Sequence, residues 1–151
     1  MTRSLDQAVS FANAARGGFN TAIGLTFTKV TMDEICAEIV IDEVHRQPYG
    51  IVHGGVYCSM VEALCSTGAA INVWDSGRNA VGMENSTAFL KATREGKLIG
   101  RATPVKKGRS THVWQATISN DEGQPLATGR VRMAILDQGA QAGGKKIELE
   151  T

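Results

Sequence analysis

The sequence lacks the features that mark several large classes of protein. Its formal net charge is only +1 over 151 residues, so it has no excess of positive charge to attract nucleic acid or an anionic membrane. Its three cysteines, Cys36, Cys58 and Cys65, are odd in number and contain no C-x-x-C pair. This pattern favours reduced thiols in a cytoplasmic protein. No charged segment followed by an apolar run opens the sequence, so we expect no secretory signal and predict a cytoplasmic location.

The common metal, phosphate and glycosylation motifs are also missing or out of context. The three histidines, His45, His53 and His112, do not have metal-ligand spacing, so we predict no metal site. The run Gly-Gly-Lys-Lys at 143–146 lacks the strand, spacing and following Ser or Thr of a phosphate loop. The run Asn-Ser-Thr at 85–87 matches a glycosylation acceptor, which we attribute to chance because no export signal accompanies it.

The hydropathy pattern predicts one α+β domain over residues 1–137. A 151-residue chain that is 42% hydrophobic can bury a real core. We predict a short amphipathic helix at 4–16, ended by Gly17 and Gly18, and a mobile tail at 138–151. A long helix should begin near Gly54. The predicted strands, the last four of which fit an antiparallel meander, are at about 25–29, 35–41, 81–91, 97–107, 111–119 and 125–137.

One glutamate stands alone in the predicted long helix. Glu62 is the only charged residue between Gly54 and Trp74. The segment is long enough to span a membrane, but its polar residues and Glu62 favour a helix buried inside a soluble protein. An unpaired carboxylate in apolar surroundings is costly, so it usually shifts its pKa or acquires a specific partner. Ser66 lies one helical turn further on and is within reach of this carboxylate.

The start of the same helix offers a second chemical group. A helix N-terminus has free amide donors and partial positive charge, which suit an oxygen that gains charge. An oxyanion site and a carboxylate together can support attack on a carbonyl. Gly54 and Glu62 lie about 12 Å apart along the helix axis, whereas reacting groups lie about 3 Å apart. If both act on one substrate, they must come from two antiparallel helices, which predicts two equivalent sites in a homodimer.

The residues alone leave structural roles open for the same side chains. Glu62 could instead pair with a basic side chain such as Arg46 or Arg78. His53, directly before the helix, is more typical of a residue that fixes a loop by hydrogen bonding than of a catalytic group. Cys58 and Cys65 are seven positions apart, hence on one helix face, where we predict core packing.

Residues 46–58, RQPYGIVHGGVYC, with Glu62 and Ser66 after them, resemble the hotdog-fold acyl-CoA thioesterases. The similarity is strongest to the branch with the glutamate-type 4-hydroxybenzoyl-CoA thioesterases and the phenylacetate-pathway thioesterases. It extends over about residues 20–136, including AVGME at 80–84 and GRST at 108–111. The resemblance implies a curled antiparallel sheet of about six strands around one central helix. It also implies a homodimer with the active site at its interface, and a homotetramer as in the relatives.

The resemblance assigns roles to individual residues. The N–H of Gly54 would polarise the thioester carbonyl, and Glu62 would attack that carbonyl or activate water. Gln47 would orient the thioester, and Ser66 stands where relatives have a Thr that positions the water. His53 is a further catalytic candidate in the same block. The implied contacts to the substrate and its CoA arm are Gly55, Arg109, Ser110 and Thr111.

The resulting expectation is an acyl-CoA thioesterase for an aromatic or otherwise compact acyl group. It would release free acid and CoA without a cofactor, since CoA is part of the substrate. Lys106, Lys107 and Arg109 could contact the CoA phosphates. A non-catalytic acyl-CoA binding module stays open, as does an enoyl-CoA hydratase or dehydratase, although the latter would require an Asp/His pair. We expect no partner other than acyl-CoA and further copies of the chain, with neither nucleic acid nor membrane involved.

Overall fold

The centre of the fold is a long helix, α3 (Gly54–Val73). The structure, a computed structural model, describes residues 5–149. In α3 the small and aliphatic side chains at positions such as Met60, Leu64 and Ala69 are fully buried. By length and composition the helix could cross a membrane, but more than half of its apolar stretch is buried inside the protein. The predicted buried core helix is therefore present at the predicted place.

An antiparallel sheet of six strands curls around α3. The strands are β1 (Thr26–Val30), β2 (Ile35–Val40), β3 (Asn79–Phe89), β4 (Lys97–Lys107), β5 (Thr111–Ser119) and β6 (Pro125–Leu136). Their order across the sheet is β1-β2-β4-β5-β6-β3. Helix α3 connects β2 to β3 and packs against β3, β4, β5 and β6. The predicted α+β class and the wrapping of one helix by six strands are both confirmed.

The predicted meander of the last four strands is wrong for its first member. Strands β4, β5 and β6 pair in succession, but β3 pairs with β6 rather than with β4. The edge of β4 that β3 would need is already taken by β2, so the connection at 90–96 carries the chain across the sheet. As a result β3 is an edge strand, and in the described part of the chain only β6 pairs with it.

Glycines allow α3 to lie close to the sheet. A Cβ added at Gly68 would lie 2.5 Å from the ring of Trp114 on β5, and that ring is fully buried. On β4, a Cβ at Gly100 would lie 2.5 Å from a methyl group of Leu64. Because these positions have no side chain, large residues of the opposite element fill the space at normal packing density.

The N-terminal region differs from its prediction. Helix α1 (Leu5–Ala14) ends before the predicted residue 16, and residue 4 lies outside the described residues. Gly17 and Gly18 do not terminate the helical region but begin a second short helix, α2 (Gly17–Ala22). Gly17, the first residue of α2, has a φ of +75°, which glycine adopts without steric cost. Phe19 and Asn20 of α2 line a groove together with residues from the middle of α3.

The C-terminal segment contains a small β-hairpin. Strands β7 (Gln141–Ala142) and β8 (Lys145–Lys146) pair with each other and are exposed. Two glycines between them have positive φ, which suits a tight turn. The mobility that we predicted for 138–151 stays a prediction, and residues 150 and 151 lie outside the described residues.

Candidate active site

Glu62 lies on the open face of α3, directed at strand β3. Its Oε1 accepts a hydrogen bond from Ser66 Oγ at 3.0 Å, and its Oε2 accepts one from Asn85 Nδ2 at 3.0 Å. Gly82 on β3 faces the carboxylate so closely that a Cβ there would lie 2.5 Å from Oε1. The predicted contact between Ser66 and Glu62 is therefore observed, and each carboxylate oxygen has one neutral donor.

The alternative in which Glu62 pairs with Arg46 or Arg78 is wrong. Arg78 lies 3.2 Å from Asp137 (Nε to Oδ1), and Arg46 Nε donates to the backbone oxygen of Arg94 at 3.1 Å. Among the described residues, no basic side chain lies within ion-pair distance of Glu62. Within the described residues, the side chain of Glu62 is therefore held by neutral hydrogen-bond donors and not by an ion pair.

The start of α3 presents one unused backbone donor. The Nδ1 atom of His53 accepts a hydrogen bond from the N–H of Gly55 at 2.8 Å, so His53 is the N-cap of the helix. Within the described residues the N–H of Gly54 has no hydrogen-bond partner. Gly54 itself packs against Phe89, because a Cβ there would lie 2.6 Å from the ring. An oxygen that gains negative charge could thus be bound by this N–H.

A hydrogen-bonded loop positions this helix start. His45 is buried; its Nδ1 accepts from the N–H of Asp42 at 2.9 Å, and its Nε2 lies 2.9 Å from the backbone oxygen of Ile23. The backbone N–H of Gln47 donates to the backbone oxygen of Ile51 at 2.9 Å. The side-chain oxygen of Gln47 accepts from the backbone N–H of Tyr49. The side-chain NH₂ of Gln47 has no partner in the described part of the chain, so it can donate to a ligand.

A groove runs beside Glu62 between α2, α3 and β3. Its other lining residues are Phe19, Asn20, Cys58, Ser59, Ala63, Ser66 and Asn85. The sequence did not indicate Phe19, Asn20 or Asn85 as site residues, because a contact between α3 and a distant element leaves no periodic signal. The sequence analysis noted this part of β3 only because Asn-Ser-Thr at 85–87 matches a glycosylation acceptor, which does not indicate a contact with Glu62.

The two cysteines of α3 have different environments. Cys65 is fully buried, and burial, followed by the negative charge of Glu62, raises its pKa to about 12. Its thiol is thus a poor nucleophile, and the predicted core packing is confirmed for Cys65. Cys58 is only half-buried and lines the groove, so the prediction of core packing is wrong for this residue. It is one turn before Glu62, and its backbone oxygen accepts a hydrogen bond from Asn85 of β3.

The predicted CoA-contacting turn lies at the far end of α3. The N–H of Gly108 donates to the oxygen of Thr111, and the oxygen of Ser110 accepts from a backbone N–H of β6. The neighbouring Lys107 donates to Asn72 near the end of α3 and pairs with Asp33, so its charge is already partly compensated. This end of α3 lies about 27 Å from Gly54 along the helix axis.

One protomer consequently does not bring all predicted site residues together. Those at the start of α3 are Gln47, His53, Gly54 and Gly55, those in its middle are Glu62 and Ser66, and those at its far end are Arg109, Ser110 and Thr111. The structure places the three groups in this order along a single helix. The first and second groups lie about 12 Å apart along the helix axis, measured from Gly54 to Glu62, and the predicted homodimer stays a prediction.

The model of the thioesterase superfamily matches residues 49–127, more than half of the chain. The chain belongs to the thioesterase superfamily. The matched segment begins in the loop before α3 and includes Gly54, Glu62 and Asn85 together with strands β3 to β5. The fold described above is the hotdog fold of this superfamily.

Individual relatives agree with this assignment. A Mycobacterium tuberculosis protein named as an esterase is 35% identical to this chain over 121 residues, covering 79% of this chain and 86% of that protein. The structure of that protein has a TM-score of 0.77 and 34% identity, covering 82% of this chain and 98% of its own. The proofreading thioesterase EntH of Cronobacter sakazakii is 30% identical over 114 residues, covering 76% and 82%. A thioesterase structure from Haemophilus influenzae has a TM-score of 0.80 with 26% identity, over 91% and 93%.

The superfamily and these relatives identify the chain as a thioester hydrolase. The predicted membership in the 4-hydroxybenzoyl-CoA and phenylacetate branch is a finer statement, and it stays a prediction.

Proposed function

We propose that this thioesterase hydrolyses an acyl-CoA with an aromatic or otherwise compact acyl group to free acid and CoA. Glu62 would act as the nucleophile or as the general base for water. The observation that carries the proposal is the environment of Glu62: a half-buried carboxylate on the wall of a groove, hydrogen-bonded by Ser66 and Asn85 and free of any basic partner among the described residues.

This environment suits attack on a thioester. Each carboxylate oxygen accepts one hydrogen bond and retains a lone pair for water or for the carbonyl carbon. Neutral donors fix the orientation of the carboxylate without introducing a positive charge that would weaken it as a base. A thiolate is a fair leaving group, so a correctly placed carboxylate and an oxyanion donor are sufficient.

The oxyanion donor in this proposal comes from a second copy of the chain. Gly54 has the free N–H, but it lies about 12 Å along the same helix from Glu62, so the Gly54 of an antiparallel partner is required. Two features favour such a homodimer. The face of α3 that carries Cys58, Ser59 and Glu62 is only half-buried in one protomer, with β3 along its edge, and β3 is an open edge strand, which proteins rarely leave unprotected. A tetramer made of two such dimers is our further expectation.

The groove favours a compact acyl group. Phe19 of α2 and Ala63 of α3 supply apolar surface in the groove that Glu62 lines, and Ser59 and Asn20 supply polar groups that suit a substituted ring. The CoA arm would extend toward Arg109, Ser110 and Thr111, beyond the C-terminal half of α3. No cofactor is needed for this hydrolysis, and we place the enzyme in the cytoplasm.

The proposal is tested by thiol release from a panel of acyl-CoAs. The panel contains benzoyl-, 4-hydroxybenzoyl-, phenylacetyl-, hexanoyl- and palmitoyl-CoA, and free CoA is measured with a thiol reagent. We expect the highest kcat/KM with the aromatic members, and a loss of about 10²–10⁴-fold in kcat for Glu62→Gln. Glu38→Gln is the matched control, since Glu38 lies on β2 and pairs with Lys97, away from the groove.

The other outcomes identify the alternatives. Undiminished release by Glu62→Gln would remove Glu62 from the mechanism. Saturable binding of every acyl-CoA without any release would indicate a binding module. Addition of water to an enoyl-CoA would indicate a hydratase.

A further inference from the structure

We propose that Asn85 is a positioning residue for the carboxylate of Glu62, and that Thr87 fixes the amide of Asn85 in the required orientation. This inference rests on the proposed function, because it concerns the geometry of the acid that attacks the thioester or activates water. Asn85 and Thr87 both belong to β3, the edge strand beside the open face of α3.

The amide of Asn85 joins the strand to the helix through two hydrogen bonds. Its Nδ2 lies 3.0 Å from Glu62 Oε2 and 3.0 Å from the backbone oxygen of Cys58. An amide NH₂ has two protons, so both are used on acceptors of α3. The second bond anchors the amide to the helix backbone one turn before Glu62, and this anchor keeps the first bond in register with the carboxylate.

Thr87 determines which way the amide faces. Its Oγ1 lies 2.7 Å from Asn85 Oδ1 and can donate to it. The reversed amide would place its oxygen against a carbonyl and a carboxylate, which are both acceptors, and would lose both bonds to α3. Space for the hydroxyl is provided on the paired strand β6, where Gly129 lies opposite Thr87 and a Cβ would come within 2.6 Å of Oγ1.

Asn85 completes a clamp that α3 alone cannot form. Ser66 binds Oε1 from within the helix, and a single hydrogen bond leaves the carboxylate free to rotate about its terminal torsion. The bond from Asn85 to Oε2 holds the other oxygen from a different element. The plane of the carboxylate is thereby fixed, and fixed geometry of this kind is what preorganises a catalytic group.

Two substitutions of Asn85 test the inference with different readouts. Asn85→Leu removes the donor, and we expect kcat to fall about 10- to 100-fold with KM changed less than about 2-fold, since orientation rather than binding is lost. Asn85→Asp places a second carboxylate beside Glu62. Like charges at this distance share a proton and raise the pKa of the pair, so the acid limb of the pH profile of kcat should move to higher pH.

Variants of Thr87 and a matched Asn→Asp control complete the set. We expect Thr87→Val to lower kcat in the same direction as Asn85→Leu, but less, and Thr87→Ser to retain wild-type kcat because the hydroxyl is kept. Asn79 lies on the same strand as Asn85, about 20 Å from it. Asn79→Asp should therefore leave the acid limb of the pH profile in place, because a charge at that distance from Glu62 is screened.

The results separate this inference from the proposed function. If Glu62→Gln abolishes thiol release while Asn85→Leu retains wild-type kcat, the inference is overturned and the proposed function stands. An unshifted acid limb in folded Asn85→Asp also overturns it, and this measurement decides the matter if Asn85→Leu fails to fold. If Glu62→Gln retains full thiol release, the proposed function itself fails.

Discussion

At the residue scale, Glu62 depends on neighbours that leave space as much as on those that bind it. Ser66 and Asn85 hold its two oxygens, while Gly82 has no side chain to occupy the volume in front of Oε1. Gly82 does not have a positive φ, so its backbone conformation is open to other residues. The glycine at this position therefore serves the carboxylate rather than the conformation of β3.

This distinction predicts the effect of Gly82→Ala. The new methyl group would lie about 2.5 Å from Glu62 Oε1, and the end of a flexible side chain moves more easily than a strand, so the carboxylate should be displaced. We expect kcat to fall about 10-fold or more, with a free energy of unfolding within about 0.5 kcal/mol of the wild type. Steady-state kinetics and denaturant unfolding provide the two measurements.

Gly18→Ala is the matched control, because a Cβ at Gly18 meets nothing within 4 Å and its φ is not positive. It should leave kcat unchanged. Wild-type kcat in Gly82→Ala would mean that the carboxylate tolerates displacement, which would contradict the preorganised geometry.

Single residues also show how far a site can be predicted from sequence. The contact between Ser66 and Glu62 was predictable, because residues four apart on a helix are neighbours whatever the tertiary fold. The contact between Asn85 and Glu62 was not, because it depends on where β3 lies relative to α3. The half-buried position of Cys58 was missed because helical periodicity shows that Cys58 and Cys65 share a face, but not how far along that face the covering elements extend.

At the scale of elements, α3 and the sheet are fitted together by glycine against aromatic surface. Gly68 packs on the fully buried ring of Trp114 on β5. The start of α3 was predictable because the Gly-rich segment at 50–55 leads into a long apolar run. The neighbours of β3 were not, since a run of strand patterns does not specify which edges pair. Similarly, two consecutive glycines predict a break in a helix but not the start of α2 after it.

The packing of α3 on β5 predicts that Gly68→Ala destabilises the fold. Alanine would favour the helix by about 1 kcal/mol, but its methyl group would lie 2.5 Å from a ring that is enclosed on all sides. Overpacking of this kind costs about 1–3 kcal/mol, so the net change should be a loss of stability. Denaturant unfolding of Gly68→Ala, Trp114→Phe and the double variant measures this loss of stability. If the double variant loses less free energy of unfolding than the two single variants together, the strain lies at this contact.

At the scale of the whole molecule, the three groups of candidate residues lie in sequence along α3, and one protomer cannot bring the first two groups to one thioester carbonyl. The N–H of Gly54 is about 12 Å along the helix from Glu62, and the turn at Arg109 lies beyond the opposite end. The separation of Gly54 and Glu62 was predictable from residue numbers alone, because a helix converts sequence distance directly into length, whereas the place of the Arg109 turn was not, because it depends on how β4 and β5 lie against α3. The same argument predicts that a second copy of the chain covers the half-buried face of α3. Mixing two inactive variants tests this prediction.

The test uses Gln47→Ala and Glu62→Gln. In the proposed dimer each site combines Glu62 of one protomer with Gln47 and Gly54 of its partner. A mixed dimer of the two variants therefore contains one site with all three residues intact and one site with two defects. Random assembly of equal amounts gives mixed dimers in half of the population, so we expect recovery of about a quarter of the wild-type kcat per protomer. Co-expression with two affinity tags isolates the mixed dimer, which should show about half.

Gln47→Ala removes the hydrogen bond from the Tyr49 N–H to the Gln47 side chain but leaves the backbone–backbone hydrogen bonds of this loop in place, so this variant should fold, and Glu62→Gln conserves shape. If the mixed dimer has no more activity than the two parents, the complete site belongs to a single protomer. A sedimentation measurement showing only monomers at working concentration would contradict the dimer directly. Recovery of activity requires both conditions at once, namely that two copies associate and that the acid of one faces the helix start of the other, so the mixing experiment decides the assembly and the geometry of the site together.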